Sequence, residues 1–249
     1  MTAPTAAALI TGAGSGIGAA VAGRLARRGV RVALLGRTES RLEATAREIR
    51  QSPGADVIVI AAHQERESDV DRAADAIIKA FGGIDILVNN AAVYEAGTVA
   101  ETSTDSWDHI LEVNLRGPFL LTRRFLPQMR ERGGGVIINV ASTLAQRPLA
   151  GYAAYSTSKA ALLALTRCVA LEEASHGIRS VAVCPGVVDT PIHGTEEERR
   201  ESMHRMAAFH PLGRVGTAAE VARWIDRLAS TDASWITGTV FTIDGGDSL

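Results

Sequence analysis

The stretch AALITGAGSGIG, residues 7–18, decides how this chain folds. An apolar run, Ala7–Ile10, leads into the glycine cluster Thr11–Gly18, and an alanine-rich helical pattern follows directly. Glycines permit a sharp turn and the close approach of a pyrophosphate, whose charge the free N–H groups at a helix start can receive. Such a cluster alone could be a tight turn, but its position between a first strand and a first helix predicts a dinucleotide site. The binding residues expected here are Gly12, Ser15, Gly16, Ile17 and Gly18.

Apolar runs and helical patterns alternate from one end of the chain to the other. Most of the runs are continuous, as expected of strands that are covered on both faces. They are Ala7–Ile10, Arg31–Leu35, Val57–Ala61, Ile84–Val88, Gly135–Val140, Arg179–Val183 and Val240–Ile243. The helical patterns are Ala19–Arg28, Glu39–Arg50, Asp69–Phe81, Trp107–Arg132, Tyr155–Ser175 and Ala218–Leu228. This alternation predicts an α/β fold in which residues 1–249 form one Rossmann-type domain, a doubly wound parallel sheet of about seven strands flanked by helices.

The composition is that of an ordinary globular chain. The 249 residues carry 26 Lys and Arg against 28 Asp and Glu, a formal net charge of -2. This balance argues against nucleic acid or an anionic membrane as a partner, and no apolar run of about 18 residues predicts a membrane helix. The N-terminus lacks the basic start of a signal peptide, so we expect a cytoplasmic protein. Cys168 and Cys184 lack metal-ligand spacing, which predicts buried, reduced thiols and no metal site.

One segment, residues 189–211, interrupts the alternation. It reads DTPIHGTEEERRESMHRMAAFHP and follows the sixth predicted strand. Ligands of open α/β sheets bind beyond the carboxyl ends of the strands, so an insertion at this point can form a substrate lid. A solvated pair of surface helices is the alternative.

Four polar residues in the middle of the chain are candidates for catalysis. Tyr155 and Lys159 are four residues apart on a predicted helix and therefore share one face. A tyrosine is a poor acid-base catalyst at neutral pH unless a nearby cation favours its phenolate, and Lys159 can be that cation. Ser142 follows the strand Gly135–Val140, where its hydroxyl could hold a substrate oxygen. Asn114 could hold a backbone group or a water.

Taken in order, the motifs resemble those of the short-chain dehydrogenase/reductase family, in its compact branch. The resemblance covers essentially the whole chain, and the 13 residues that separate Ser142 from Tyr155 also fit it. The motifs are the TGxxxGxG loop at Thr11–Gly18, Asn89-Asn90-Ala91-Ala92, Asn114, Ser142, the YxxxK pair Tyr155 and Lys159, Pro185-Gly186, and Thr190. Ala92 stands where the family more often has glycine.

The resemblance implies a nicotinamide-dependent oxidoreductase that interconverts a carbonyl and an alcohol. Ser142 would position the substrate oxygen, and Tyr155 would be the general acid or base. Lys159 would lower the pKa of Tyr155 and bind the nicotinamide ribose, while Asn114 would support a proton-relay water. The residues implied beside the nicotinamide are Asn90, Ala91, Pro185, Gly186, Val188 and Thr190.

The end of the second strand predicts which dinucleotide is preferred. NAD enzymes place an acidic residue there for the ribose 2'-hydroxyl, but this chain has Gly36 followed by Arg37. Since an arginine can pair with a 2'-phosphate, we expect NADP(H) to be preferred, with NAD possible. The family often has Asp at the end of the third strand, where it meets the adenine amino group, but this chain has His63-Gln64. Either His63 substitutes as a hydrogen-bonding group, or the affinity rests on other contacts.

Ketone reduction is the leading functional hypothesis, with several alternatives. An NAD-dependent alcohol dehydrogenase and a catalytically silent dinucleotide-binding module remain open. Tyr152 also precedes Lys159 at the spacing of enoyl reductases of related fold, which would imply reduction of a carbon-carbon double bond. The small-molecule substrate is not identified, but the candidate pocket is mainly apolar. Its candidate residues are Ser142, Leu144, Tyr152, Val187, Ile192, Met203, Met206 and Phe209.

Two long helical patterns predict self-association. Trp107–Arg132 and Tyr155–Ser175 are long, and the second carries apolar residues around more than one face, which exceeds what packing on one side of a sheet needs. In the resembled family these helices form a dimer contact, and the C-terminal strand helps to build a tetramer. We therefore expect a homotetramer, with a homodimer as the fallback.

Overall fold

The computed structural model describes residues 6–193 and 196–249 of the chain. The strands are β1 (Ala7–Thr11), β2 (Arg31–Gly36), β3 (Val57–Ala61), β4 (Ile86–Asn89), β5 (Gly135–Val140), β6 (Ile178–Pro185), β7 (Val188–Asp189), β8 (Gly216–Thr217) and β9 (Val240–Ile243). The helices are α1 (Gly16–Arg27), α2 (Glu39–Arg50), α3 (Glu67–Phe81), α4 (Thr104–Leu111), α5 (Gly117–Glu131), α6 (Ala153–Glu173), α7 (Glu196–Ala207) and α8 (Ala218–Leu228).

Seven strands form one parallel sheet in the order β3-β2-β1-β4-β5-β6-β9. Strand β1 lies at the centre, and all five of its residues are buried. Its alternate side chains enter two different apolar clusters: Ala8 and Ile10 enter one, and Ala7 and Leu9 enter the other. The sheet is therefore covered on both faces, and the predicted single-domain Rossmann-type fold is confirmed.

The helix predicted over Trp107–Arg132 is present, but it is not α-helical throughout. Helix α4 ends at Leu111, a five-residue π-helix follows at Glu112–Arg116, and α5 begins at Gly117. A Cβ added at Gly117 would lie 2.7 Å from Cγ of Gln64, so the helix passes directly over the Gln64 side chain. The wide π turn lies beside this contact and contains Asn114, in keeping with the tendency of π-bulges to occur at functional sites.

The segment at residues 189–211 leaves the sheet at its carboxyl edge. Strand β7 pairs in parallel with β8, forming a two-stranded ladder that the sequence did not predict. A short 3-10 turn, Pro191–His193, precedes α7, while Gly194 and Thr195, which also belong to the predicted lid, lie outside the described residues. A role for this segment as a lid stays a prediction.

The two cysteines differ in their surroundings. Cys184 is buried in β6, as predicted, but Cys168 is exposed on α6, so the expectation of two buried thiols is wrong for that residue. Position 168 lies on the outer face of α6, which also carries the exposed Leu171. In the part of the chain that the structure describes, no helix is long and apolar enough to cross a membrane. The cytoplasmic location stays a prediction.

Candidate active site

The loops that follow β1 and β4 are joined by buried hydrogen bonds at the carboxyl edge of the sheet. The hydroxyl of Thr11, which is fully buried, accepts from the backbone N–H groups of Asn90 at 3.0 Å and Ala91 at 2.9 Å. The side-chain amide of Asn90 donates back to the carbonyl of Thr11 at 2.9 Å. The two motifs that the sequence placed near a dinucleotide are therefore adjacent.

The glycine loop after β1 fits a pyrophosphate. Helix α1 begins after Ser15, whose side chain makes no capping hydrogen bond, and its first turn contains no acidic residue. The first N–H groups of the helix are thus available to an anion. A Cβ at Gly18 would lie 2.4 Å from the carbonyl oxygen of Gly12, and a Cβ at Gly12 would lie 2.9 Å from Cα of Ala91. Both glycines are required by close packing of the loop against its neighbours.

The loop after β6 packs against the glycine loop from the other side. Thr190 is buried, and a Cβ added at Gly16 would lie 3.1 Å from Cβ of Thr190. Gly186 packs against Asp244, because an added Cβ would lie 2.8 Å from the Asp244 Cβ. Pro185 and Val188 are buried, and Val187 is half-buried. The structure thus brings the predicted nicotinamide-side loop against the glycine loop.

Asn114 is buried in the π-helix and makes hydrogen bonds to two other segments of the chain. Its Oδ1 accepts from the backbone N–H of Val93 at 2.9 Å, and its Nδ2 donates to the carbonyl of Val93 at 2.8 Å and to the Ser158 hydroxyl at 3.1 Å. The Ser158 hydroxyl donates in turn to the carbonyl of Tyr155 at 2.7 Å. Asn114 therefore links the loop after β4 to the helix that carries Tyr155. Its part in a proton relay stays a prediction.

Ser142, Tyr155 and Lys159 come together as the sequence predicted. Ser142 follows β5, and a hydrogen bond joins its side chain to that of Tyr155. Nζ of Lys159 lies 5.7 Å from the ring centroid of Tyr155 and donates to the carbonyl of Val140 at 2.8 Å. The lysine is almost completely buried, and its amine reaches beneath the tyrosine ring from one helical turn away.

Burial controls the protonation of this group. Desolvation raises the pKa of Tyr155 to about 12, although the hydrogen bond with Ser142 acts in the opposite direction. Desolvation also lowers the pKa of Lys159 to about 8 and raises the pKa of the neighbouring Cys184 to about 11. The tyrosine shift is thus opposite to the lowering that the resemblance implies, because loss of solvent outweighs the hydrogen bond with Ser142. Tyr155 is a neutral phenol at neutral pH.

All three tyrosines of the chain lie in this site. The ring centroid of Tyr94 lies 6.1 Å from that of Tyr152 and 6.0 Å from that of Tyr155. Burial raises the pKa of Tyr94, so this side chain is also neutral. Sequence reasoning missed Tyr94, although its position close after the Asn89-Asn90-Ala91-Ala92 motif could have indicated it. Together, Tyr94 and Tyr152 form an aromatic wall beside Tyr155.

The remaining predicted pocket residues differ in exposure. Leu144 is half-buried in the short helix directly after Ser142, and Met203 is buried on α7. Ile192 and Met206 are 43% and 36% exposed, and Phe209 is 70% exposed. The residues of the segment at 189–211 therefore offer apolar surface at the carboxyl edge of the sheet, while their contact with a substrate stays a prediction.

Gln64 is a second residue that sequence reasoning did not assign to the site. It is buried, and its Nε2 donates to the carbonyl of Val113 at 2.8 Å and to that of Ala91 at 3.4 Å. These bonds hold the end of β3 against the π-helix and the loop after β4. The residue preceding it, His63, lies at the rim of the same region.

Comparison with known proteins gives matches over nearly the whole chain. The family model described as Enoyl-(Acyl carrier protein) reductase matches residues 12–248. The chain is 41% identical over 241 residues to the 2-(R)-hydroxypropyl-CoM dehydrogenase of Xanthobacter autotrophicus, covering 96% of each chain. The solved structure of 3-ketoacyl-(acyl-carrier-protein) reductase from Brucella melitensis complexed with NADH gives a TM-score of 0.90 at 35% identity over 99% of both chains. L-sorbose reductase from Gluconobacter frateurii, complexed with NADPH and L-sorbose, gives 0.93 at 31% identity over 98% of this chain and 97% of that chain.

The fold and the site define an oxidoreductase that binds a nicotinamide dinucleotide and acts on CH–OH and C=O groups. The chain belongs to the short-chain dehydrogenase/reductase family, whose members it matches over almost its full length. The resemblance found in the ordered motifs is thereby confirmed.

The buried amine of Lys159 generates a stability prediction. Its pKa is about 8 in the folded chain against an ordinary value of 10.5, so below about pH 8 the folded state must bury a charge. Between pH 8 and 10.5 the folded chain releases this proton while the unfolded chain keeps it, and stability rises with pH. Lys159→Met should therefore raise the Tm at pH 7 by a few degrees, since about 1 kcal/mol moves the Tm of a chain of this size by about 2–4 °C.

The measurement is the Tm of wild type and variant from pH 7 to 10.5 by calorimetry. The advantage of the methionine variant should shrink above pH 8. Lys79, the other lysine of the chain, is exposed, so Lys79→Met serves as the control and should show no such pH-dependent difference. A Lys159→Met variant that is less stable than wild type by the same amount at every pH would contradict the account.

Proposed function

We propose that this protein is an NADP(H)-preferring ketoreductase in which Tyr155 is the general acid. The observation that carries the proposal is the position of Tyr155, bonded to Ser142 on one side and 5.7 Å above Nζ of Lys159 on the other. Tyr155 holds its proton at neutral pH, and its hydroxyl lies where it can donate that proton to an oxygen positioned by Ser142.

Ser142, Tyr155 and Lys159 have different roles in the proposed reduction of a carbonyl. When bound, the dinucleotide supplies the hydride that adds to the carbonyl carbon. The Ser142 hydroxyl donates a hydrogen bond to the carbonyl oxygen and fixes its position beside Tyr155. Tyr155 then transfers its phenolic proton to that oxygen, and the ammonium group of Lys159 stabilises the resulting phenolate. Alcohol oxidation uses the same positions in reverse, with Tyr155 as the base.

The surroundings of Tyr155 favour an uncharged substrate with apolar substituents. Tyr94 and Tyr152 form an aromatic wall at one side of Tyr155, and Leu144 follows Ser142 by two residues in the short helix that begins after Ser142. Aromatic side chains supply large apolar contact area, while their hydroxyl groups can meet a polar substituent. To judge by their names, the relatives described above act on substrates as different as a ketoacyl group and a sugar. The substrate class proposed here therefore rests on the aromatic wall of Tyr94 and Tyr152.

Reduction of a carbon-carbon double bond from Tyr152 is the second candidate. The description of the matching family model, an enoyl reductase, favours it. Tyr152 lies at the N-terminal end of α6, where its ring faces Tyr94, whereas Tyr155 has the hydrogen bond to Ser142. This difference in contacts favours Tyr155 and therefore carbonyl chemistry.

Two conservative substitutions separate these candidates. Tyr155→Phe should lower kcat for ketone reduction on the order of 10²-fold or more, because the proton donor is lost. Tyr152→Phe, the matched control on the same helix end, should change KM or substrate preference and leave kcat within a few-fold. The assay follows NADPH absorbance with a panel of ketones and with an enoyl thioester.

The reverse ranking of the two variants would contradict the assignment of Tyr155. Enoyl-thioester reduction without any ketone reduction would favour the second candidate. Binding of NADPH without turnover of either class would favour the silent binding module.

The preference for NADP(H) rests on the end of β2. Gly36 leaves the space that an acidic residue would fill, and Arg37 follows it on the exposed rim of the site. Arg41 packs against Gly14 of the glycine loop, since a Cβ at Gly14 would lie 2.9 Å from Cβ of Arg41. Thr38 precedes α2 without a side-chain cap, so N–H groups of that helix are also available to a phosphate.

Removing one guanidinium tests this preference. Arg37→Ala should lower kcat/KM with NADPH on the order of tenfold or more, because a charge-assisted contact to the 2'-phosphate is lost. The same variant should leave kcat/KM with NADH within about twofold. Arg47→Ala removes an exposed arginine of the following helix, α2, and should change neither value. An Arg37→Ala variant with unchanged cofactor preference would contradict the proposal.

The proposed homotetramer has structural support on the outer face of the helices. Leu111, Leu115 and Phe119 recur every four residues through α4, the π-helix and α5, and with Leu165 of α6 they line an open groove of about 650 Å³. Phe119 is 43% exposed. An apolar groove between two long helices suits a second copy of the same pair of helices.

Light scattering at micromolar concentration tests the assembly. Wild type should have about four times the chain mass of 26.2 kDa. Phe119→Asp should lower that mass, because a charge would be buried in the contact, whereas Val99→Asp at an exposed loop position should not. A wild-type mass equal to that of one chain would contradict the proposal. A mass equal to that of two chains would support the homodimer instead of the homotetramer.

A further inference from the structure

The π-helix at Glu112–Arg116 directs a backbone N–H away from the carbonyl of Val113. The N–H of Gly117 donates to the carbonyl of Glu112, five residues earlier, whereas an α-helix would direct it to Val113. Pro118 stands five positions after Val113, the spacing of a π-helical bond, but proline has no N–H. With Gly117 bonded to Glu112, neither helical register within this described segment supplies a donor to the Val113 carbonyl.

The side-chain amide of Gln64 supplies that donor. Its Nε2 donates to the carbonyl of Val113 at 2.8 Å and to that of Ala91 at 3.4 Å. Because both neighbours are acceptors, the nitrogen of the amide must face them. Gln64 is only 4% exposed, so loss of its donor would leave the Val113 carbonyl buried and unpaired. Gly117 leaves room for the amide, since a Cβ there would lie 3.0 Å from Nε2.

The register of this turn sets the position of Asn114. Asn114 follows Val113 directly, and its side chain is bonded to both backbone groups of Val93 and to the hydroxyl of Ser158. Without the side-chain donor, the Val113 carbonyl can regain a hydrogen bond if the helix returns to the α register. That change closes the wide turn and rotates Asn114 relative to Val93 and Ser158.

We propose that Gln64 is a positioning residue that holds this turn in the π register and thereby aligns Asn114 and Tyr155 for proton transfer. Its effect reaches Tyr155 through Asn114 and the Ser158 hydroxyl, which donates to the Tyr155 carbonyl at 2.7 Å. The kinetic part of the inference rests on the proposed function, because that function assigns proton transfer to Tyr155. The structural part, in which the contacts of Asn114 depend on Gln64, holds whatever the reaction is.

Hydrogen exchange at the amide of Val93 measures the structural part. Oδ1 of Asn114 accepts from this N–H at 2.9 Å, so its exchange rate reports whether Asn114 stays in place. Gln64→Met keeps a side chain of similar length and removes the donor. The Val93 amide of this variant should exchange on the order of tenfold faster than in wild type, the effect of losing about one hydrogen bond. The measurement is mass spectrometry with fragmentation to single residues.

Gln128→Met is the matched control. Gln128 lies on α5 and, like Gln64, it bonds to backbone groups: its Nε2 donates to the carbonyl of Ile84 at 3.0 Å, and its Oε1 accepts from the N–H of Ile84 at 3.1 Å. Ile84 precedes β4, so these bonds lie at the edge of the sheet opposite the candidate active site. Gln128→Met should lower the Tm and leave the exchange of the Val93 amide unchanged.

Kinetics measure the consequence for proton transfer. Gln64→Met should lower kcat for ketone reduction on the order of tenfold, because Tyr155 is no longer held in line with the substrate oxygen. The solvent deuterium isotope effect on kcat should rise, because proton donation then limits the rate more strongly. The Kd of NADPH should stay within about threefold of wild type, since only the longer bond of Gln64 reaches the loop that carries Ala91. Gln128→Met should leave kcat and the isotope effect as in wild type.

Gly117→Ala tests the same contact from the side of the helix. Its Cβ would lie 2.7 Å from Cγ of Gln64 and would displace the amide without removing any hydrogen-bonding group. This variant should reproduce the faster exchange of Val93 and the lower kcat, and it decides the question also if Gln64→Met fails to fold. In the double variant the two effects should be less than additive, because both act on one contact.

The outcomes separate this inference from the proposed function. Unchanged exchange at Val93 in Gln64→Met would overturn the inference, and so would equally fast exchange in Gln128→Met. If wild type reduces ketones and Gln64→Met keeps its kcat and isotope effect, the link to proton transfer is overturned while the ketoreductase proposal stands. A wild type that reduces no ketone would contradict the proposed function and the kinetic part, and the exchange rates would still decide whether Gln64 holds Asn114.

Discussion

The structure depends on one buried hydroxyl, that of Thr11 at the end of the central strand. A parallel sheet leaves the backbone groups of each loop unpaired where its strands end, and a buried N–H without a partner is costly. Thr11 meets this requirement for two N–H groups at once, those of Asn90 and Ala91, while Asn90 returns a bond to the Thr11 carbonyl. The glycine loop after β1 and the asparagine loop after β4 are thereby held together as one surface, on which a dinucleotide can lie across the centre of the sheet.

Further hydrogen bonds connect the asparagine loop to Tyr155 through the side chains of Asn114 and Ser158. From the asparagine loop, Val93 is bonded to Asn114, Asn114 to Ser158, and the Ser158 hydroxyl to the backbone carbonyl of Tyr155. Every side chain in this sequence of bonds is buried, so each bond replaces contacts with water that folding has removed. The position of Tyr155 relative to the glycine loop is therefore set by hydrogen bonds across the strand ends as well as by the packing of α6.

The sequence predicted those elements whose limits are encoded locally. The bounds of α2, β3 and β5 coincide with the predicted ones, because polar or glycine residues flank a continuous apolar or helical pattern. The π-helical turn between α4 and α5 was not predicted. It lies beside the contact of Gly117 with Gln64, a residue far away in the sequence. The candidate catalytic residues were chosen from spacing and from the family resemblance, and the structure brings Ser142, Tyr155 and Lys159 together. Tyr94 and Gln64 were not, because their contacts exist only once β3, β4 and α6 are assembled.

The protonation of the site follows from the same burial that holds it together. With a pKa of about 12, Tyr155 carries its proton at pH 7, as the proposed role of general acid requires. Carbonyl reduction consumes a proton at the substrate oxygen and needs no prior ionisation of this residue. Alcohol oxidation would first require the phenolate, at a cost that the hydrogen bond with Ser142 offsets only in part in the chain as folded. The buried amine of Lys159 costs stability, but it lies beside the Tyr155 ring, where it could stabilise a tyrosine phenolate in the proposed reaction.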